Sequence, residues 1–187
     1  MALSSTIFKA QLDLSDLNRN HFESYKLTMA RHPSENDQRM MLRLLAFALF
    51  ADEHLSFTKG ISTTEEPDLW IKNYSGEIEL WIDLGLPDEK RIRQAHSLAK
   101  EVVIFAYGDR SLITWRQQLG ASIKRFPSLK IFHVSDDDLK QLASLADKNM
   151  QLHCSVQDDE AFIGNDSKNL QIKINTIERV RELGELI

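Results

Sequence analysis

The sequence predicts an α/β chain: a mixed sheet flanked by helices, in one domain spanning residues 1–187. Three patterns carry that expectation. Two alternating stretches near the N-terminus pair as a hairpin. A second hairpin turns at Ser75-Gly76 between runs rich in Trp, Ile and Leu. From Pro87 onward, amphipathic helices alternate with short apolar strands, which implies parallel pairing through right-handed crossovers.

The elements follow in order. Thr6 to Asp13 alternates, as does Ser24 to Arg31, where Tyr25, Leu27 and Met29 stand between Ser24, Lys26 and Thr28. The polar stretch from Asp16 to Asn20 joins them. Pro33 lacks a ladder donor and ends the second strand. Ser34 is the expected N-cap of a helix with Glu35 and Asp37 in its first turn, where carboxylates complement the helix dipole. Met40 to Phe50 is apolar nearly all round, so that helix is buried on more than one side. Pro87-Asp88 opens a second helix with Ile92, Ala95, Leu98 and Ala99 inward. The continuous apolar run from Val102 to Tyr107 reads as a strand covered on both faces. Ser111 caps a helix carrying Leu112, Trp115, Leu119 and Ile123 on one side. Leu129 to Val134 is another buried strand. Asp136 caps a helix with Leu139, Leu142 and Leu145, and Met150 to Val156 is strand again. Ala161 to Ile163 and Leu170 to Ile174 form a closing hairpin, followed by a short helix from Thr176.

The Ser75-Gly76 turn dictates a register. It sets Tyr74 opposite Glu77, Lys72 opposite Glu79, Trp70 opposite Trp81, Leu69 opposite Ile82 and Asp68 opposite Asp83. Side chains alternate along a strand, so Asp68, Trp70, Lys72, Glu79, Trp81 and Asp83 share one face. Leu69, Ile71, Leu80, Ile82 and Leu84 fill the other. Facing carboxylates with Cβ atoms about 5 Å apart repel each other. A divalent cation between them reverses the sign, because Mg²⁺ and Mn²⁺ favour carboxylate oxygens. Asp68 and Asp83 are therefore the candidate metal ligands.

Composition narrows the function classes. A 42% hydrophobic and 27% charged chain is an ordinary globular protein. The longest apolar run, Leu44 to Ala51, falls well short of the roughly 20 residues that span a bilayer, so no membrane association is expected. The start of the chain lacks the basic and apolar regions of a signal peptide, and the single cysteine, Cys154, excludes an internal disulfide. Both fit a reducing cytoplasm. A net charge of −5 argues against a protein that coats nucleic acid non-specifically. The six histidines lack ligand spacing for zinc. The chain has neither a glycine-rich phosphate loop nor a Gly-x-Ser-x-Gly elbow.

The order of helix, hairpin with Pro67-Asp68 and a later Asp83, helix, and parallel strand resembles the PD-(D/E)XK nuclease core, as in restriction endonucleases, with an added N-terminal hairpin. Three blocks are similar to the YaeQ family of small bacterial proteins: Arg31 to Met41, Glu66 to Trp70, and Leu80 to Gly85 continuing through Pro87-Asp88 and Arg91 to Arg93. That family has a variant of the PD-(D/E)XK fold. The resemblance makes Asp68 the motif's first aspartate, Asp83 its second acidic residue, and Glu35 the acidic group of the preceding helix. Where the motif places lysine this chain has Gly85, so a basic residue of the next helix has to substitute. Lys90, Arg91 and Arg93 are available there, and Arg93 is the preferred candidate. Arginine clamps a phosphate but is no proton acceptor at useful pH.

Two functions follow as expectations. In the first, Asp68 and Asp83 hold Mg²⁺ or Mn²⁺ in a divergent phosphodiesterase acting on nucleic acid, Glu35 assists, and Arg93 steadies the transition state. Trp70 and Trp81 would stack bases, while Lys90 and Arg91 would contact phosphate. Lys72 and Glu79 read as a cross-strand ion pair. In the second, the nuclease scaffold is a catalytically inactive module that binds nucleic acid or a protein partner, and Gly85 marks the lost activity. A cleft that takes a small anion is the third possibility.

Overall fold

A computed structural model of the chain describes residues 4–59 and 65–179. The N-terminal hairpin is longer than its alternating stretches suggest: β1 spans Thr6–Asp16 and β2 His21–Arg31, paired antiparallel in register from Thr6–Arg31 to Asp16–His21. Helix α1 runs Asp37–Phe50. Strands β3 (Leu55–Phe57), β4 (Leu69–Lys72) and β5 (Ile78–Leu84) form an antiparallel meander. Then come α2 (Glu89–Leu98), β6 (Ala99–Ala106), α3 (Asp109–Leu119) with a 3-10 turn over Gly120–Arg125, and β7 (Leu129–His133). Helix α4 (Asp136–Ala143) leads to β8 (Asn149–Gln157), β9 (Glu160–Asn165), β10 (Lys168–Lys173) and β11 (Asn175–Arg179).

The strands form two mixed sheets, not one. The first has the order β10-β9-β8-β1-β2, and the second β11-β7-β6-β5-β4-β3. Strands β5, β6 and β7 are mutually parallel, as the crossover pattern requires, but β8 leaves them to pair parallel with β1. The reason is written in β8 itself. Met150, Leu152, Cys154 and Val156 are buried while Gln151 and His153 are exposed, the alternation of a strand covered on one face only. Strand β6, apolar without a break from Val102, belongs to a sheet covered on both faces.

Between the sheets lies α1, and every residue from Met40 to Ala48 is buried, as its all-round apolar sequence demands. With α4 it fills the layer between Leu12, Met29 and Leu152 of the first sheet and Leu69, Ile82 and Val103 of the second. On the far face of the second sheet, α2 and α3 pack Ile92, Ala95, Trp115 and Leu119 against Trp81, Val102 and Ile104. For the apolar side chains of the central hairpin the assigned faces stand, with Leu69, Leu80, Ile82 and Leu84 in the inner layer and Trp81 in the outer one, whereas Asp68, expected beside Asp83 and Trp81, is met from the inner layer. Burying side chains of this size contributes about 1.5–3 kcal/mol each.

Several boundaries move. Asn36 rather than Ser34 caps α1, accepting from the Arg39 N–H at 2.9 Å, so Glu35 lies just outside the helix. Ser135 Oγ, not Asp136, caps α4, and α3 starts at Asp109 after Gly108, two residues before Ser111. Leu98 turns outward at 51% exposure. The residues from Thr176 to Arg179 continue as strand β11 against β7 where a helix was expected, and the remainder of that expected helix lies outside the described residues. The hairpin register holds for Leu69–Ile82, Trp70–Trp81 and Ile71–Leu80, after which a bulge puts Lys72 opposite Ile78. Asn73, not Tyr74, then closes the turn by donating to Glu77 O at 3.0 Å. Among the described residues no helix is long and apolar enough to cross a membrane.

Candidate functional site

The ladder of the central hairpin extends one step past β4, because the Asp68 N–H donates to Ile82 O at 2.9 Å. That step brings Asp68 level with the end of β5, where the Leu84 N–H donates to Asp68 Oδ2 at 2.8 Å. Asp68, Asp83 and Glu35 are all buried, and they are the only buried carboxylates besides Asp16 among the described residues. The site thus collects the three acidic residues singled out from sequence.

Each of them meets an arginine. The Arg39 guanidinium bridges two: Nη1 donates to Glu35 Oε1 at 3.0 Å and Nη2 to Asp68 Oδ2 at 2.9 Å. Arg39 Nη2 also lies 2.8 Å from Asp68 Oδ1, but that oxygen ends without a hydrogen-bond partner. Arg43, itself fully buried, donates to Glu35 Oε2 at 2.7 Å and to Ala30 O at 3.0 Å. Arg91 grips Asp83 with both ends of its fork, at 2.9 and 3.0 Å, and reaches Glu66 O at 2.7 Å. Its guanidinium carbon sits 4.9 Å above the Trp81 ring, a cation–π contact that fixes the fork in place. Asp68 is therefore neutralised from α1, in the inner layer, and Asp83 from α2, in the outer layer. Three carboxylates face three guanidiniums, and the centre is charge-balanced.

Burial pushes the Asp68 carboxyl above the ordinary carboxylate range, and Asp83 pushes the same way; Arg39 and the Leu84 N–H oppose the rise without cancelling it. Asp68, Glu35 and Tyr107 hold Arg39 charged against its own burial. Burial also raises the Tyr107 hydroxyl. A carboxyl raised on folding stabilises the fold fully below its unfolded value near pH 3.9, and that contribution is lost as pH rises through the higher folded value. Asp68→Asn does not titrate, so its stability should fall less than that of the parent as pH rises from about 4. Urea unfolding over that rise in pH measures the difference. A gap between the two proteins that stays constant with pH would contradict the raised Asp68.

Gly85, where the resemblance places a lysine, has a backbone reason. Gly85 has φ +105°, where a side chain is strained, although a Cβ there would meet nothing nearer than Tyr107 Cε1 at 3.8 Å. Gly85→Lys should cost about 1–3 kcal/mol of stability and confer no cleavage of DNA or RNA. A stable, cleaving variant would show that the position is a simple lost lysine.

The other candidates separate. Arg93 is exposed and pairs with Glu89 at 2.6 Å, one helical turn back, so the arginine at Asp83 is Arg91. Lys90 is exposed. Trp81 is fully buried, which removes it from base stacking, while Lys72 Nζ lies 3.5 Å over the half-buried Trp70 ring. Glu79 pairs with Lys100 at 2.7 Å and with Asn73, because the bulge takes Lys72 out of reach. Arg39, Arg43 and Tyr107 escaped the sequence reading. Arg43 carried a signal nonetheless: it is the one charged residue between Met40 and Phe50, and a cation in such a run needs a buried partner.

Among the described residues no three or more His, Cys, Asp or Glu side chains, Asp68 and Asp83 included, are placed to share an ion. Asp68 Oδ1 is the one buried side-chain acceptor among the described residues that receives no hydrogen bond.

A family model described as "YaeQ protein" matches residues 1–174. A Salmonella typhi protein named as an uncharacterized YaeQ is 44% identical over 174 residues, covering 93% of this chain and 96% of its own. The Escherichia coli (strain K12) protein of the same name is 42% identical with the same coverage. The crystal structure of the YaeQ protein from Xanthomonas axonopodis pv. citri superposes with a TM-score of 0.91 at 36% identity, covering 94% of this chain and 99% of that one. The Pseudomonas syringae YaeQ crystal structure gives 0.89 at 33% identity, with 93% and 96% covered.

Proposed function

The chain belongs to the YaeQ family, and from its acidic centre we propose a non-hydrolytic module on a PD-(D/E)XK-type scaffold, in which arginines take the electrostatic place of the catalytic metal. The observation that carries this reading is that every one of the three carboxylates is ion-paired: Glu35 with Arg39 and Arg43, Asp68 with Arg39, and Asp83 with Arg91. Facing carboxylates need a cation, and the chain supplies it covalently. A divalent ion entering this centre would have to displace charge-assisted hydrogen bonds of 2.7–3.0 Å. The same pairing withholds these guanidiniums from phosphate. Together with the net charge of −5, it favours a protein partner over nucleic acid.

One observation favours a second reading, a metal-dependent phosphodiesterase acting on nucleic acid. Asp68 Oδ1 is buried without a hydrogen-bond partner, as a ligand oxygen awaiting an ion would be. In that reading Asp68 and Asp83 hold Mg²⁺ or Mn²⁺, which supplies Lewis-acid charge and an activated water. Arg39 and Arg91, released from the carboxylates, neutralise phosphate oxygens.

The two readings part on one assay. Purified protein is incubated with single- and double-stranded DNA and RNA in Mg²⁺ and in Mn²⁺, beside Asp68→Asn. The module reading expects no cleavage above the variant. Cleavage by the parent that the variant lacks establishes the phosphodiesterase.

A further inference from the structure

At the opposite end of α1 from the acidic centre, about 15 Å along the helix from Arg39, a cavity of about 550 Å³ opens between the two sheets. Its size lies within the roughly 300–1,000 Å³ typical of small-molecule sites. The floor is aromatic. Phe105 and Phe132 stack at 5.4 Å between centroids, and Phe50 closes on Phe105 edge-on at 6.0 Å. Phe50 and Phe132 are only half-buried, so their rings form a ready apolar surface.

The mouth is negative. Asp158 and Asp159 form the β8–β9 turn at its rim, both exposed and neither with an ion-pair partner among the described residues. The turn is locked: Asn18 Nδ2 donates to Asp158 O at 2.9 Å, and the Asp158 N–H donates to Asn18 Oδ1 at 2.8 Å. The carboxylates are thereby held at fixed positions while their oxygens stay available. The C-terminus of α1 ends in the same cavity, with no basic residue in its last turn to offset its partial negative charge. The one cation at the rim among the described residues, Arg19, is committed, with Nε at 2.5 Å from the buried Asp16 and Nη1 at 2.9 Å from Ala51 O.

We propose that this cavity binds a small organic cation, its planar apolar body against the Phe50 and Phe132 rings, which the buried Phe105 backs, and its ammonium or guanidinium group at Asp158 and Asp159. The apolar body gains from burial and ring stacking, and the charge fixes the orientation. An anion of the same shape meets two carboxylates and is rejected. The site is independent of the acidic centre and of the function proposed for it.

Tryptamine and indole-3-propionate, near-isosteres of opposite charge, test it by amide NMR and calorimetric titration. Tryptamine is expected to shift the amides of Phe50, Phe132 and Asp158 saturably and to bind about ten-fold or more tighter than indole-3-propionate. The Asp158→Asn/Asp159→Asn variant should weaken tryptamine by about ten-fold. Asparagine tolerates the φ of +54° at position 158, so the turn survives. If the double variant unfolds, Asp159→Asn alone should weaken binding several-fold. Equal affinity for the two probes, no saturable shift below about 5 mM, shifts located elsewhere, or an unweakened variant each overturn the proposal.

Discussion

Glu35→Ala is expected to destabilise the protein by about 3–5 kcal/mol, because it strands a charge that cannot reach water. Glu35 is the only carboxylate paired with Arg43 among the described residues; the side chain is 2% exposed and otherwise meets one backbone carbonyl and the Phe57 ring. Arg39 would keep Asp68, so the loss falls mainly on Arg43. The Arg43 Nε already lacks a partner, which leaves no reserve. The cost should shrink when Arg43→Met is added, since the pair is then replaced by packed apolar groups. A double-mutant cycle by urea unfolding measures this coupling. Additive losses would show that Glu35 and Arg43 are stabilised independently.

Trp81→Ala should cost a similar amount, about 3–5 kcal/mol, for a different reason. The indole is fully buried between the second sheet and α2, and it is also the surface on which the Arg91 guanidinium rests. Its removal leaves a cavity and lets the clamp on Asp83 loosen. Trp81→Phe should cost much less, under about 1.5 kcal/mol, because the ring stays and the lost Nε1–H has no hydrogen-bond partner among the described residues. Unfolding midpoints of the two variants separate these outcomes. A phenylalanine as damaging as alanine would mean that the indole N–H has a partner after all.

The contrast between Arg91 and Arg93 shows where sequence reasoning reached its end. The Asp88 cap and the inward Ile92 fix the phase of α2 to within one residue on either side. Arg91 and Arg93 flank Ile92 symmetrically in sequence, and only the placement of α2 over β5 decides which side faces Asp83. Asp68 and Asp83 were legible because a period-2 ladder and a tight turn dictate register locally, whereas Glu35 was reached only through the family resemblance. The bulge after Ile71 was not, since one extra residue leaves no mark on an alternating pattern that has already reached its polar end. The second sheet was partly legible: the alternation in β8 distinguishes a half-covered strand from the doubly covered β6. Its partner β1 lies far away in the chain, and no local pattern names such a neighbour. Arg39 stayed hidden because a long side chain that bridges Glu35 and Asp68 joins residues brought together only by the meander packing on α1.

The claim that arginines stand where a metal would is tested most directly by removing them. Calorimetric titration of Mn²⁺ into the Arg39→Met/Arg91→Met variant frees Asp68 and Asp83 while leaving Glu35 paired with Arg43. The account predicts that the parent binds Mn²⁺ negligibly and that the double variant gains a single site, which Asp83→Asn then abolishes. Tight Mn²⁺ binding by the parent, weakened by Asp68→Asn and unimproved by removing the arginines, would contradict it.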